Sequence, residues 1–598
     1  MTCDSSSSPD EQKTSSDEQK ASSNVVPFPG DVQYPHVPTV PSIPSADALP
    51  AGYRALPDGI YYLEQDDLGD EHPVHLCSTV AVIGLCRRSD SKGWGRVVDV
   101  VDPDHRTHRV LLDEPLFNSA PAALLRPLLD LGLQIDKGAN VKKRLVELLG
   151  AWRPKQLFVR VSRAGWVDDD FDTFALADGS IVGRKESIFD QDIGTIGKAA
   201  RAKGSLEIWR DTIAAPCAGN PLMLLAVSQA FVGPLLAPLG LDGGGFHFRG
   251  ASSCGKTTLL RIAASVWGAP GYVQSWRATD NALESAASSC SSALLALDEL
   301  HQVSPKVAGD IIYMLANGQG KRRMTPGGKA GCCESWHVAL LSNGEISLEE
   351  HMASAGKKTH AGQEIRLIDI QADGRRFGAF DHLHGETDAR LFAEQLKQAA
   401  ADGHGVAGRL FIERLTGNIN RLGNMEKVVN HFIETEIKTH NLHPEGQMLR
   451  VLKRFAVAAL AGELATTWGL TGWNKGEALA GIFDVCGSWI KERDAASAGR
   501  IAAVLERTRM YLSANLNNFS PLETDGGVDG WREDGWFYIR PEAWSRIHGA
   551  EGAEDVARLH KAANMLRTDK GQTLQWRMGR NTPGRPRVYA VSIRVLDA

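Results

Sequence analysis

One stretch constrains this chain more than any other: an apolar run at residues 246–248 passes through a glycine-rich turn into an amphipathic segment at residues 259–267. The turn follows the pattern Gly-x-x-x-x-Gly-Lys-Thr from Gly250 to Thr257. Small residues there let consecutive backbone N–H groups point into one concave nest at a helix N-terminus, where phosphate charge is favoured. Because strand, turn and helix follow in the required order, the sequence predicts a phosphate-binding loop rather than a simple glycine-rich turn.

The same pattern assigns roles to individual side chains. Lys256 would reach the β- and γ-phosphates of a nucleoside triphosphate, and the Thr257 hydroxyl would ligate Mg²⁺. ATP and Mg²⁺ are therefore the predicted cofactors. The residues expected to hold the nucleotide are Gly250, Ala251, Ser252, Ser253, Cys254, Gly255, Lys256, Thr257 and Thr258.

A second landmark is the apolar run at residues 293–297, which ends in Asp298 and Glu299. A fully buried parallel strand has such a continuous apolar sequence, and its ligands lie at its carboxyl end. We expect Asp298 to hold the metal ion through water and Glu299 to act as the general base on the attacking water.

A third landmark is the apolar strand predicted at residues 338–341, which leads to Asn343. Its amide is a candidate for positioning the water and sensing the γ-phosphate. The alternative is a strand-ending turn, since Asn-Gly favours turns. The order of the predicted strands fits an ATPase of the AAA+ kind, and this favours the functional role.

Residues 362–370 predict a strand that carries one arginine, Arg366, among aliphatic residues. A cation at this place could complete the active site of a neighbouring subunit, as arginine fingers do. Arg375, Arg376 and Arg409 compete for the role. For each of them, pairing with a structural carboxylate is the alternative.

A basic segment at residues 318–331 separates the second and third landmarks. It contains four basic residues and no acidic one: Lys321, Arg322, Arg323 and Lys329. A loop or hairpin of this composition can contact a nucleic-acid backbone, although a solvated surface loop would look the same. Its position before the third strand favours the functional interpretation, because it would then face the pore of a ring.

The last hundred residues predict a winged helix: a strand at 535–539, a helix at 551–567, and strands at 573–578 and 587–593. Between residues 561 and 594 there are eight Lys or Arg and one acid, Asp569. Such a hairpin fits a wing that grips DNA phosphates; docking of a protein is the alternative. The candidate DNA contacts are Arg577, Arg580, Arg585 and Arg587.

The 598 residues are too many for one core. We predict a disordered tail (1–50), a mostly-β N-terminal domain (51–199), an ATPase domain (200–437), a helical region (438–497) and a winged-helix-like domain (498–598). The net charge of −6 excludes a global basic footprint, so nucleic-acid contacts must be local.

Compartment and membrane association follow from composition. The nine cysteines form no C-x-x-C pair, and residues 1–20 lack the apolar region of a signal peptide, so a reduced, cytoplasmic protein is expected. Residues 212–241 carry no charge. Prolines, Asn220 and Gln229 interrupt them, which favours a buried helix over a membrane span.

Together these segments resemble the domain-of-unknown-function 927 family, predicted ATPases of Cch-like helicases carried by phages, plasmids and integrative elements. The resemblance covers residues 52–416 and is most specific at 316–323 and 361–367; residues 250–257, 294–299 and 341–345 also contribute. It implies an AAA+-type motor, similar to superfamily III and MCM helicases, that works as a ring on DNA. Relatives often carry a primase domain. None is evident here, so a separate primase is the expected partner.

The predicted fold is α/β: a P-loop NTPase (AAA+-like) core with a mostly-β N-terminal domain and a C-terminal winged-helix-like domain. The favoured function is an ATP-dependent helicase or translocase, a homo-hexamer acting on single-stranded or forked DNA. The main alternative is a DNA-binding ATPase switch, such as a helicase loader or regulator without unwinding activity. A monomeric small-molecule kinase, indifferent to DNA, is a third possibility that the basic segment argues against.

Overall fold

The computed structural model describes residues 49–598 except 139, 185, 191–192, 322–333, 360, 420–424, 443, 445, 523, 534, 550–551, 570–572, 580–581, 583 and 598. The fold is mixed α/β. Contacts divide the chain into two units: one extends to Arg87 and includes Ser91–Leu157, and the other comprises Arg88–Asp90 and Phe158 onwards. The predicted tail at residues 1–50 lies almost wholly outside the described residues.

The first unit consists mostly of β-strands. Its elements are β1 Tyr53–Leu56, β2 Gly59–Gln65, β3 Glu71–Cys77, β4 Val80–Arg87, β5 Gly95–Val101, β6 Thr107–Asp113, α1 Leu116–Ser119, α2 Pro121–Asp130 and α3 Val141–Ala151. Strands β1–β2–β3 and β4–β5–β6 pair antiparallel in chain order. The residues Val141, Leu145, Leu148 and Leu149 lie on one face of α3 and are buried.

The second unit begins with short elements. They are β7 Leu157–Val161, β8 Gly165–Trp166, β9 Thr173–Ala175, β10 Ile181–Gly183, β11 Ser187–Phe189, α4 Gly194–Ala199, α5 Leu206–Trp209, α6 Pro221–Ala230 and α7 Gly233–Leu236. Residues 222–230 of α6 are all buried, which explains the uncharged stretch as part of the core. Among the described helices, none is both long and apolar enough to cross a bilayer.

A five-stranded parallel sheet forms the centre of the second unit. Its strands are β12 Gly244–Arg249, β13 Gln274–Ser275, β14 Ala293–Asp298, β15 Val338–Gly344 and β16 Leu367–Gln371, in the order β13–β14–β15–β12–β16. All four neighbouring pairs are parallel. The strands therefore end together at what we call the carboxyl edge and begin together at the amino edge. Every residue of β15 is buried, as its apolar sequence predicts.

Helices surround this sheet. They are α8 Lys256–Ala264, α9 Asp280–Ser289, α10 Ala308–Asn317, α11 Leu348–Ala353, α12 Ala361–Glu364, α13 Ala389–Asp402, α14 Val406–Thr416, α15 Met425–Thr439, α16 Gly446–Thr467 and α17 Glu477–Ala514. The 38-residue α17 packs its first half on the sheet's core, through residues such as Ile482 and Ile490, and its second half on the C-terminal core, through Leu505 and Leu512. It therefore continues across residue 498.

The C-terminal segment forms a separate sheet. Its elements are β17 Phe519–Ser520, β18 Gly530–Glu533, β19 Trp536–Ile539, α18 Pro541–His548, α19 Ala553–Ala562, β20 Leu566–Arg567, β21 Trp576–Arg577 and β22 Arg587–Ser592. The strand order is β17–β18–β19–β22–β20, with β21 also beside β22.

The structure corrects three local predictions. Residues 361–364 form the short helix α12, so the strand predicted at 362–370 begins only at Leu367 and Arg366 precedes it. The helix predicted at 551–567 ends at Ala562, and Leu566–Arg567 pair with β22 instead. The strand predicted at 573–578 is only Trp576–Arg577. The second correction reflects sheet pairing, which overrides the helical preference at Leu566. In the other two, only the residues that gain a pairing partner become strand.

Candidate functional site

The glycine-rich loop joins β12 to α8 at the carboxyl edge. Gly255 precedes α8 with φ of 107°, a conformation that favours glycine, and a Cβ there would approach the Phe380 ring to 3.0 Å. Ser253 is also left-handed, with φ of 63°. The first amides of α8 and the loop thus lie beside each other, as an anion nest requires.

Lys256 lies inside this loop. Its side chain is buried, and its Nζ donates to the carbonyl oxygens of Gly250 at 2.8 Å and Ala251 at 2.6 Å. A buried ammonium requires such acceptors to offset the loss of water. The carbonyl groups hold the charge at the mouth of the nest, where a phosphate could replace them as the acceptor.

Asn343 joins the three landmarks predicted from the sequence. Its side chain is buried at the end of β15, and its Oδ1 accepts the backbone N–H of Glu299 at 2.8 Å. Its Nδ2 donates to Thr257 Oγ1 at 3.4 Å. One amide therefore ties the end of β14 to the start of α8. The structure brings Lys256, Thr257, Asp298, Glu299 and Asn343 together at the carboxyl edge.

The two carboxylates that end β14 differ in environment. The Oδ1 of Asp298 is buried and has no hydrogen-bond partner among the described residues. An unpaired buried carboxylate oxygen is costly unless a cation or water completes it, so Asp298 and Thr257 fit a Mg²⁺ site. Glu299 is exposed, with a left-handed backbone (φ 63°), and its Oε2 accepts a hydrogen bond from Gln302.

Asp373 is a member of this edge that the sequence prediction missed. Its Oδ2 accepts the backbone N–H of Ala251 at 2.8 Å, and this hydrogen bond lowers the pKa of Asp373. One backbone N–H of the loop therefore already donates a hydrogen bond to a carboxylate. The available signal was its position just beyond the end of β16, the strand beside β12.

Arg249, at the end of β12, connects the loop to α17. It forms ion pairs with Asp369 of β16 and with Glu492 of α17. Burial raises the pKa of Asp369 to about 7, and the charge of Arg249 opposes that rise. A second link runs from Arg375 to Asp484 of α17.

Arg366 lies at the opposite, amino edge, and its partners are neutral. Its guanidinium donates to Asn317 Oδ1 at 2.8 and 3.0 Å and to the Gly362 carbonyl at 2.6 Å, and it stacks 4.2 Å from the centre of the Tyr313 ring. The competing candidates differ. Arg375 pairs with Asp381 and Asp484, Arg409 pairs with Asp178, and Arg376 lies over Phe377.

A second arginine adjoins Arg366. Arg454 of α16 donates through Nε to the Ile365 carbonyl at 2.8 Å. Burial and, to a lesser degree, the charge of Arg366 lower the pKa of Arg454 to about 10, and Asp242 opposes this. A cavity of about 260 Å³ opens here, and its polar lining is Gln229, Asp242, Arg366, Arg450, Lys453 and Arg454. The amino edge therefore carries more positive than negative charge.

Gly244 explains how Arg454 reaches this place. Its φ is 129°, and a Cβ added there would lie 2.6 Å from the Arg454 guanidinium and 2.5 Å from the Arg366 carbonyl oxygen. Only glycine leaves room for the arginine against the start of β12.

The predicted DNA contacts are separated in space and only partly described. Lys321 follows α10, and its Nζ pairs with Asp280 at 2.8 Å, so its charge is balanced within the chain. Gln319 and Ser335, which lie on either side of residues 322–333, pair antiparallel. Arg577 of β21 and Arg587 of β22 are exposed, as is Arg585 in the connection between these strands. Arg322, Arg323, Lys329 and Arg580 lie outside the described residues.

Comparison with known proteins agrees with the predicted resemblance. Residues 53–331 match the model of the family described as a domain of unknown function, DUF927, which confirms that prediction for this part of the chain. A solved structure described as "SCCmec type IV Cch - active helicase" has a TM-score of 0.64 and 17% sequence identity, over 92% of this chain and 99% of that one. At this identity the similarity establishes a shared fold. No curated protein matches.

Proposed function

We propose that this chain, whose residues 53–331 match the DUF927 family, is an ATP-dependent DNA helicase or translocase. It would act as a ring, a homo-hexamer, in replication of a phage, plasmid or integrative element. The observation that carries the proposal is the contact of Asn343 with both the Glu299 amide and the Thr257 hydroxyl, beside Lys256. The shared fold with a protein described as an active helicase supports it.

The core would be a P-loop NTPase of the AAA+ kind. The glycine-rich loop between β12 and α8 supports this, as does β16, an additional parallel strand beyond β12. The domains proposed around it are those predicted from the sequence, with residues 51–199 mostly β and 498–598 winged-helix-like. The separate primase remains the partner that this arrangement would need.

Nucleotide binding would use groups already aimed at the loop. The Lys256 ammonium would exchange the Gly250 and Ala251 carbonyls for phosphate oxygens. The nest amides would bind the remaining phosphate charge. Thr257 and Asp298 would hold Mg²⁺, which supplies charge neutralisation at the transferring phosphate.

Hydrolysis would depend on the position of Glu299. Asn343 fixes its backbone, while the side chain remains exposed and held by Gln302. The carboxylate would accept a proton from the attacking water as the water oxygen bonds to the γ-phosphorus and the bond to the leaving diphosphate breaks. The Asn343 amide would hold this geometry against the Thr257 hydroxyl.

Ring formation is proposed from the amino edge. The hydrogen-bond partners of Arg366 are neutral, and its charge lowers the pKa of the neighbouring Arg454. An anion would therefore be the complementary ligand. In a ring this edge would meet the ATP phosphates of the next subunit, with Arg366 as the arginine finger. The basic segment at 318–331 would contact DNA, as would Arg577, Arg580, Arg585 and Arg587.

ATP hydrolysis with and without single-stranded DNA, over a range of salt concentrations, tests the proposal. We expect stimulation by DNA that fades as salt rises, because phosphate contacts release counterions. Turnover without any response to DNA would instead favour the ATPase switch. Neutralising Lys321, Arg322, Arg323 and Lys329 together should abolish the stimulation in a motor and leave a protein-directed switch unaffected.

A further inference from the structure

The C-terminal sheet has two unlike faces. Phe537, Ile539 and Val591 face a core that includes residues of α17, α18 and α19. The opposite face carries Trp531, Tyr538, Met578, Val588 and Ala590, with Leu522, Trp536 and Trp576 packed beside them. No described helix contributes to that second cluster. Three tryptophans therefore line the outer face of the sheet.

Strand register places three stacking groups along β22. Trp576 is opposite Val588, Arg567 is opposite Ala590, and Trp536 is opposite Ser592. Positions 588, 590 and 592 alternate along one strand, so all three side chains lie on the same face. The Arg567 guanidinium is 4.0 Å from the centre of the Trp576 ring and 5.9 Å from that of Trp536. We call Trp536, Arg567 and Trp576 the stacking row.

The charge beside this row is mainly positive. Arg577 and Arg587 are exposed and directly opposite each other in the register, an arrangement of like charges that costs stability. Among the described residues, Arg567, Arg577, Arg585 and Arg587 have no ion-pair partner. The register places one carboxylate, Glu533, opposite Trp536 at the far end of the row. A polyanion would therefore compensate the end that contains Trp576.

The helix α19 does not offer a comparable surface. Its exposed Arg558 pairs with Glu554 and Asp555, and Asp555 also lies 3.9 Å from Lys358. The charges of Arg558, Glu554 and Asp555 are therefore balanced within the chain. Nucleic-acid contact is therefore favoured on the sheet side of this domain.

We propose that the stacking row binds single-stranded nucleic acid through its bases, while Arg577, Arg585 and Arg587 bind its phosphates. Planar aromatic and guanidinium surfaces match unpaired bases, whereas bases in a duplex already stack on each other. This inference deepens the proposed function and rests on it for the role of the bound strand. It assigns the C-terminal sheet to the separated strand rather than to the duplex.

The test measures binding of the full chain, without ATP, to a fluorescent thymidine oligonucleotide and to an abasic oligonucleotide of equal length. Wild type should bind the base-containing strand at least about tenfold more tightly. Arg567→Ala and Trp576→Leu should remove most of that difference, and Trp576→Phe should retain it because an aromatic plane remains. Thermal unfolding checks that each variant is folded.

Charge is tested separately. Arg577→Gln with Arg587→Gln should weaken binding of both oligonucleotides alike and reduce the salt dependence by about 0.7 per lost contact. Arg558→Gln, which removes one positive charge from α19, is the control for each of the two single substitutions and should change neither the affinity nor its salt dependence. Equal wild-type affinity for the two strands would overturn the proposal. Wild-type binding of both oligonucleotides by Arg567→Ala and by Trp576→Leu would also overturn the proposal. The face would then be available to a protein partner.

Failure of this inference is distinguishable from failure of the proposed function. Because binding is measured without ATP, a preference for bases that depends on Trp576 would stand even if the chain did not hydrolyse ATP. Conversely, DNA-stimulated hydrolysis with no preference for bases would leave the proposed motor intact and remove the stacking row from it.

Discussion

The two edges of the central sheet are built differently. At the carboxyl edge, Lys256, Asp298 and Asn343 each end a strand or begin the helix after it, and one amide joins their neighbours. At the amino edge, Arg366 precedes β16 and Arg454 belongs to α16. Each is held by its own contacts, and both line the same cavity. At the carboxyl edge, hydrogen bonds connect the residues to one another. At the amino edge, positively charged side chains share a cavity.

This difference teaches what each edge can do alone. The carboxyl edge contains the acceptors, donors and carboxylate that binding a nucleotide and hydrolysing its phosphoanhydride would need. Among the described residues, the lining of the amino-edge cavity carries four cations against one carboxylate, Asp242. We therefore expect this edge to complete a site that another molecule supplies. The predictions below separate these two kinds of contribution.

The largest effect is expected from Lys256→Ala. It removes the one buried ammonium in the loop, which we expect to supply the main charge for the β- and γ-phosphates. ATP binding should fall by at least about 100-fold, and turnover should be lost. Equilibrium binding of a fluorescent ATP analogue measures this, with the exposed Lys306→Ala as a control. Unchanged affinity in Lys256→Ala would move the nucleotide site away from this edge.

Arg366→Ala should come next, with turnover reduced by about 10³-fold and ATP binding largely kept. Because the arginine would act on the neighbouring subunit, mixing Arg366→Ala with Lys256→Ala should restore part of the activity: some interfaces then combine an intact loop with an intact arginine. Arg376→Ala is the matched variant, as an exposed former candidate. Recovery on mixing with Arg376→Ala, and none with Arg366→Ala, would assign the role to Arg376.

How far the sequence predicted each edge follows from this construction. Strands that are buried on both faces have continuous apolar sequences, so the polar residues after them could be recognised as edge residues without knowing the pairing. Arg366 was only one of four candidates, because nothing local reveals which arginines have a carboxylate partner. The ion pairs of Arg375 and Arg409 involve residues distant in sequence, Asp484 and Asp178.

Arg454 and Asp373 were not predicted at all. Arg454 lies in the middle of a long amphipathic helix, where an arginine usually reaches solvent, and its role depends on the gap above Gly244. Asp373 acts through a single hydrogen bond to a loop amide. Long-range packing determined the role of Arg454, for which the sequence pattern carries no local signal, whereas the only signal for Asp373 was its position just beyond β16.

Glu299→Gln should reduce turnover by about 10²-fold and retain ATP affinity. The amide is isosteric and Asn343 still holds the backbone, so the loss isolates the proton acceptor within the carboxyl edge. Single-turnover hydrolysis alongside binding measures both quantities, and Glu349→Gln on α11 is an exposed control. Equal turnover in Glu299→Gln and wild type would exclude Glu299 as the base.

The smallest effect is expected from pH, through the strand that joins the two edges. His247 in β12 is buried between Ser342 Oγ and the Ile346 carbonyl, and burial lowers its pKa to about 4, an effect that the charges of Arg249 and Lys256 increase. The unfolded chain, with a histidine pKa near 6.5, therefore binds a proton that the folded chain excludes. The contribution of neutral His247 to the free energy of unfolding is fully present above about pH 6.5 and declines as the pH falls toward 4.

At pH 5.5 this histidine should cost about 1 kcal/mol of unfolding free energy relative to pH 7.5. Urea unfolding of wild type and His247→Gln at both pH values measures it, because the variant lacks the titrating group while other groups titrate equally in both proteins. The difference between the two proteins should narrow at low pH. If the difference in unfolding free energy between wild type and His247→Gln is the same at both pH values, His247 is protonated as readily in the folded sheet as in the unfolded chain. Because β12 carries the loop at one end and Gly244 beneath Arg454 at the other, acid would then weaken neither edge through this strand.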